Sequence, residues 1–274
     1  MLSKRTITTA IAAGVGVIAL VAGSAAPAHA GPNTPNRDRY AALGDSIPAG
    51  VGSSTQASYP ALIAGKVNKV TMAATSGATT SSALAQVGRI APKAQQVTIT
   101  VGANDVGWTG VAVACATGGQ AACATALGAA ATAVSGVPMG VATLVTAVRA
   151  QAPGATVYVT GYPALFQPTF GSATLSFTCA ALPGFDAAQL EAFDQAIAGL
   201  NQAIASGAAA TGATYVDVTE EFTDHGLCSG PGSYINPPTL TSTGYAQSSL
   251  HPNAAGQAAY AKALAEAGVH THQD

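Results

Sequence analysis

Four residues of this chain are of the types that acyl transfer needs. Ser46 stands in "YAALGDSIPAGVG" (residues 40–52), where an apolar run breaks at Gly-Asp-Ser. Gly77 lies in "AATSGATT", Asn104 in "VGANDVG" and His251 in "SSLHPNAAG". A serine hydroxyl is a weak nucleophile until a base sits within hydrogen-bond reach. An imidazole, which titrates near neutral pH, is the natural base. Attack on an ester creates an oxyanion that needs fixed donors: the backbone N–H groups of Ser46 and Gly77 are two candidates, and the Asn104 amide is a third. Each residue also has a plainer reading. Gly-Asp-Ser is a common turn, Asn104-Asp105 suits a turn or helix start, and His251 before Pro252 suits a helix start. Their order, each after its own predicted element, favours chemistry.

Those elements are five short strands separated by helices. Strands are expected at Tyr40–Leu43, Val67–Met72, Gln96–Val101, Thr156–Thr160 and Thr214–Val218, most of them rich in β-branched residues and most leading into Gly, Asp, Ser or Asn. Helical patterns fill the gaps. Leu190, Phe193, Ile197, Leu200 and Ile204 recur at alternating spacings of three and four, one apolar face of a helix. Alternation of strand and helix predicts a parallel sheet covered on both faces, with its site at the C-terminal strand ends. Ser46, Gly77 and Asn104 follow strands there.

Together, G-D-S at Ser46, the glycine turn at Gly77, G-x-N-D at Gly102–Asp105 and H-P-N at His251–Asn253 resemble the four blocks of the SGNH (GDSL) hydrolases, across residues 40 to about 265. The resemblance implies an α/β, flavodoxin-like three-layer sandwich with strand order 2-1-3-4-5. It also implies a serine esterase without metal or organic cofactor: Ser46 as nucleophile, His251 as base, and Ser46, Gly77 and Asn104 as the oxyanion hole. The long loops, cysteines and leader look most like secreted bacterial lipases and esterases. The expected reaction is carboxylic ester hydrolysis; a carbohydrate O-acetylesterase and an inactive binding protein on the same scaffold are the alternatives.

Two positions depart from the family pattern. An aspartate usually stands three residues before the histidine, where this chain has Ser248. Losing the acid of a serine-protease triad costs about 10⁴ in kcat through the wrong imidazole tautomer. A backbone carbonyl can hold Nδ1–H instead; that of Ser249 is the expected one, with Asp217, Asp224 or Glu220 as competing acids. Thr75 stands where close relatives often carry a cysteine, which implies two disulfides rather than three.

The chain opens on a leader: Lys4 and Arg5, an apolar stretch from Ile7 to about Ala22, then Ala28-His29-Ala30. This is the pattern of a cleaved secretory signal, residues 1–30, and residues 31–274 are expected to form a single domain. Net charge is −2; removing the leader, which holds two basic and no acidic residues, takes it to −4. With 8% charged residues and no basic cluster, nothing points to nucleic acid. The expected partner is a small or lipid ester, met by a monomer without stable membrane insertion. Cys115, Cys123, Cys179 and Cys228 read as disulfides in an exported chain. Three pairings are possible; the two cysteines sharing one Gly/Ala-rich loop favour Cys115–Cys123 with Cys179–Cys228.

No G-x-S-x-G elbow occurs after the leader. His225 lies in a polar loop, and His270 and His272 in the terminal tail. Three long loops are expected around the site: 105–135 with Trp108; 162–185 with Tyr162, Leu165, Phe166, Phe170 and Phe177; and 222–250 with Tyr234, Ile235, Leu240 and Tyr245. Their apolar residues either line an acyl groove or pack the loops down.

Overall fold

The computed structural model describes residues 39–65, 69–166, 187–242 and 244–269. The leader, Val67, Phe170, Phe177, Cys179, His270 and His272 lie outside them.

Five parallel strands form one sheet: β1 (Arg39–Gly44), β2 (Lys69–Met72), β3 (Gln96–Thr100), β4 (Thr156–Thr160) and β5 (Thr214–Val216), in the order β2-β1-β3-β4-β5. Ala42, Leu43, Val97, Ile99, Val157 and Val159 are buried, as a sheet covered on both faces requires. Helix α1 (Tyr59–Ala64) packs against α7 (Ala254–Glu266), while α2 (Thr80–Val87), α5 (Val137–Gln151) and α6 (Ala187–Ala209) pack in series. The periodic face of α6 is buried from Leu190 to Ile204. Strand order reverses between β1 and β3, so their C-terminal ends splay and leave a crevice; Ser46 follows β1 at that point.

The region 105–135 differs from the expectation of a loop. It is a helical hairpin, α3 (Trp108–Thr117) and α4 (Gly119–Ala133), turned at Gly118 and closed by the Cys115–Cys123 disulfide. The run is Ala-rich, and alanine is the strongest helix former. The signal was hidden because neither helix alternates apolar with charged faces. Cys228 is also disulfide-bonded; its expected partner, Cys179, lies outside the described residues. The loop 222–250 contains a short 3-10 turn at Leu227–Gly232 and a small hairpin of β6 (Leu240–Thr241) and β7 (Gly244–Tyr245).

The sheet carries a polar seam toward the site. Thr100 Oγ1 pairs with the Tyr59 hydroxyl at 2.9 Å and with Thr160 Oγ1 at 2.7 Å, inside the core. At the last residue of β1, the Gly44 N–H donates to Gln86 Oε1 at 2.8 Å and Gln86 Nε2 donates back to the Gly44 carbonyl at 2.9 Å. A side chain of α2 thus holds the strand end that precedes the serine. Gln86→Leu, which leaves a buried N–H unpaired, is expected to cost about 2 kcal/mol. Thermal denaturation followed by circular dichroism should show a Tm lower by about 4–8 °C.

Candidate active site

The H-P-N segment folds as a chain of local constraints. Asn253 caps α7, its Oδ1 accepting from the N–H groups of Ala255 and Gly256 at 2.9 and 3.1 Å. Pro252 is buried and bridged to Ile235. Before the histidine, Ser249 N–H donates to the Ala246 carbonyl and His251 N–H to that of Ser248. Leu250, at φ 61°, occupies the left-handed region, which costs a residue with a Cβ about 1–2 kcal/mol. This turn brings the Ser249 carbonyl to 3.0 Å from His251 Nδ1. A carbonyl oxygen only accepts, so Nδ1 carries the proton and Nε2 keeps its lone pair. Nε2 lies 2.7 Å from Ser46 Oγ, positioned to accept the hydroxyl proton. Burial lowers the His251 pKa from its ordinary value, and the Ser249 bond opposes that shift. The ring is therefore neutral at pH 7 and competent as a base.

Ser248, at the position of the missing acid, contributes only its backbone here. Asp217, one of the competing acids, is engaged elsewhere: its Oδ1 accepts from Thr219 N–H and hydroxyl at 2.8 and 2.7 Å.

Gly77 and Asn104 line the same cavity as Ser46 and His251. Asn104 Nδ2 donates one hydrogen to the Ala78 carbonyl at 3.0 Å, which pins the amide beside the Gly77 turn. Glycine at 77 is a matter of backbone conformation and not of space. A Cβ there would meet nothing within 4 Å; φ is +81°, and it is that backbone conformation that favours glycine. Close approach is found instead at Gly52, where a Cβ would fall 2.7 Å from His251 Cβ.

The cavity encloses about 300 Å³. Trp108, Ala112, Val113 and Ala116 of α3 line it, together with Leu165, Phe166 and the α6 residues Phe193, Ile197 and Leu200. Trp108 and Phe166 both pack edge-on against Phe193. Tyr162 and Tyr245 also line it. Tyr234 and Ile235, which the sequence offered as groove residues, pack the loop down: Tyr234 stacks on His225 and Ile235 is buried in the core. The side chain of Leu240 lies outside the description.

A family model for GDSL-like lipases and acylhydrolases matches residues 42–259. The chain belongs to the GDSL-like lipase/acylhydrolase family. Lipase 1 of Streptomyces coelicolor is 32% identical over 237 residues, 80% of this chain and 82% of that protein. The crystal structure of a phospholipase A1 from Streptomyces albidoflavus is similar at TM-score 0.75 and 32% identity, over 84% of this chain and 99% of that one. An extracellular lipase from Streptomyces rimosus is similar at TM-score 0.72 and 30% identity, with the same coverage. As a GDSL-like hydrolase, the chain is a carboxylic ester hydrolase.

Several residues that fix this GDSL-like site were not singled out from the sequence. Asp45, the central residue of G-D-S, is buried; its Oδ1 accepts from Ile47 N–H at 3.0 Å and its Oδ2 from the Tyr162 hydroxyl. The Tyr162 oxygen accepts in turn from Ala103 N–H at 3.2 Å. One buried carboxyl group thus ties together the loops after β1, β3 and β4. Burial pushes its pKa up to about 7, against the opposing bonds from Tyr162 and Ile47. The unfolded chain would release that proton near pH 4. Asp45 therefore favours folding at low pH, and its contribution falls away as the pH rises through about 7. Asp105 of G-x-N-D accepts from Thr80 N–H at 2.9 Å through Oδ2 and anchors the first turn of α2 beside Gly77. Asn236 joins the serine and histidine loops: its Nδ2 donates to the Gly52 carbonyl at 2.7 Å and to the His251 carbonyl at 3.1 Å.

These contacts separate two positions beside His251 by role. Ser248→Ala should leave kcat on a soluble p-nitrophenyl ester unchanged, because only backbone atoms of Ser248 are used. Asn236→Ala should lower kcat about tenfold with KM little changed, because a sub-ångström displacement of the imidazole weakens proton transfer. Steady-state kinetics of the two variants check both.

Proposed function

We propose that the chain is a secreted lipase that hydrolyses uncharged, acyl-bearing esters through an acyl-enzyme on Ser46. The observation that carries this reading is the 2.7 Å approach of Ser46 Oγ to a His251 Nε2 whose Nδ1 faces the Ser249 carbonyl. In the first step, His251 takes the hydroxyl proton as Oγ attacks the ester carbonyl. The oxyanion is met by the N–H groups of Ser46 and Gly77 and by Asn104 Nδ2; a single such donor is worth about 10²–10³ in rate. His251 then returns the proton to the leaving alcohol. Water, deprotonated by the same imidazole, releases the acid. Asp45 and Asn236 touch no reacting atom and act as positioning residues.

The substrate class rests on the cavity wall. Tryptophan, phenylalanine, leucine, isoleucine, valine and alanine side chains suit an acyl chain and offer few partners to sugar hydroxyls. This favours a lipase over the carbohydrate O-acetylesterase alternative. The close serine–histidine contact argues against an inactive binding scaffold. Relatives named lipase and phospholipase A1 agree with a lipid ester. Secretion is supported by the leader pattern at residues 1–30, by the Cys115–Cys123 disulfide and by the extracellular relative from Streptomyces rimosus. The mature protein would be a single domain from near Gly31 and a monomer, without nucleic acid or stable membrane insertion.

Rates on p-nitrophenyl esters from acetyl to dodecanoyl test the reading. We expect kcat/KM to rise with acyl length to an optimum beyond acetyl. Ser46→Ala should abolish every rate, by about 10⁶-fold in kcat. Ala116→Trp, filling the α3 wall, should lower kcat/KM for the long esters about tenfold and leave acetyl ester hydrolysis unchanged. A chain that cleaves only acetyl esters, with no gain from longer acyl groups, would overturn the lipase assignment.

A further inference from the structure

From Val106 to Val148 the sequence contains no Asp, Glu, Lys, Arg or His. That stretch is α3, α4 and nearly all of α5, three helices with different fates. In α5, Val141, Leu144, Val145 and Val148 are core residues. In the α3–α4 hairpin burial is sparse: Val111 and Cys115 are the buried residues of α3, and Cys123 and Ala130 those of α4. A helix against water ordinarily carries a charged face; one that is apolar all round belongs inside a core or against another apolar medium. Here the outward positions are small and uncharged, among them Gly110, Thr117, Ala121, Ala124 and Ala131.

The second observation is where this face leads. Val113 is 42% exposed and also lines the substrate cavity, beside Ala112 and Ala116. Among the described residues, the hairpin's own side chains lead without a charge from its outer face to the cavity mouth. The Cys115–Cys123 disulfide holds the two helices as one plate. The hairpin itself carries no cationic side chain to attract an anionic surface. Its chemical complement is electrically neutral and apolar a few ångströms down.

We propose that the α3–α4 face rests on a zwitterionic phospholipid surface and presents the cavity mouth to esters held there. This inference rests on the ester-hydrolase reading above, with α3 as the shared wall between the lipid surface and the acyl cavity. The hairpin lies on the membrane and does not cross it. Binding comes from apolar contact and not from charge.

Two measurements on phosphatidylcholine vesicles test this. First, the Ser46→Ala chain, which leaves the vesicles intact, is sedimented with them at low salt and at about 1 M salt. Binding should persist, changed by less than about twofold, because no ion pair is screened. Second, Ala124→Glu with Ala131→Glu should weaken vesicle binding about tenfold or more and slow hydrolysis of vesicle-borne ester to match. The same pair should leave kcat/KM on soluble p-nitrophenyl butyrate unchanged. Gln at both positions, of similar bulk without charge, should keep vesicle binding. The inference is overturned if the Ser46→Ala chain does not bind vesicles, if binding vanishes at high salt, or if the Glu pair binds as well as the parent. It is also overturned if the chain self-associates without lipid and the Glu pair dissociates it, since a second copy would then cover the face. Should the Glu pair fail to fold, the salt series and the Gln pair decide. A parent chain that cleaves soluble ester but ignores vesicles sinks this inference alone; one that cleaves neither sinks the ester-hydrolase reading itself.

Discussion

The site depends on which nitrogen of His251 holds the proton. Serine activation needs a bare Nε2 facing the hydroxyl, and that requires the proton to stay on Nδ1. In a triad a carboxylate enforces this arrangement and also steadies the imidazolium that forms. Here the Ser249 carbonyl stands at 3.0 Å from Nδ1 and can do only the first. A neutral acceptor fixes the tautomer without adding a full charge, so nothing nearby raises the histidine's proton affinity strongly, and burial lowers it. As the proposed base, this imidazole would be weaker than that of a triad but would stay unprotonated to lower pH.

Everything around the ring serves that short contact. Leu250 accepts a left-handed backbone so that the carbonyl before it points back at the ring. Gly52 clears space where the serine loop crosses the histidine, and Asn236 stitches the two loops with one amide. Below the serine, Gln257 Nε2 donates to the Ile47 carbonyl at 3.0 Å from α7, while Asp45 reaches through Tyr162 to the loop after β3. The buried acid next to Ser46 is thus a structural tie, held by Ile47 N–H of its own loop and by the Tyr162 hydroxyl from the loop after β4. Its raised pKa is the cost of placing a carboxyl group in the core rather than a sign that it exchanges protons with substrate.

The sheet was legible because buried parallel strands are short β-branched runs, and the alternation with helices left one architecture. The strand order came from the family resemblance. Ser46, Gly77, Asn104 and His251 stood out because their types match acyl-transfer chemistry, the first three after predicted strands and the last at a helix start. What the sequence hid was of two kinds. The α3–α4 hairpin has helix-forming alanines but no charged face to mark its period, so it read as loop. Asn236, Gln86 and Gln257 act through single amides on partners far along the chain, at Gly52, Gly44 and Ile47. No local pattern announces such a pairing. Asp45 was in view inside G-D-S, but a turn aspartate and a buried tie look alike until Tyr162 is brought to it.

The protonation state of His251 can be read directly by ¹⁵N NMR of the imidazole, titrated on the free protein. The Ser249 contact and the ring's burial predict the Nδ1–H tautomer at pH 7, with a single ionisation below 6.5, the ordinary value for the side chain. A ring found charged at pH 7, or neutral with its proton on Nε2, would contradict that prediction.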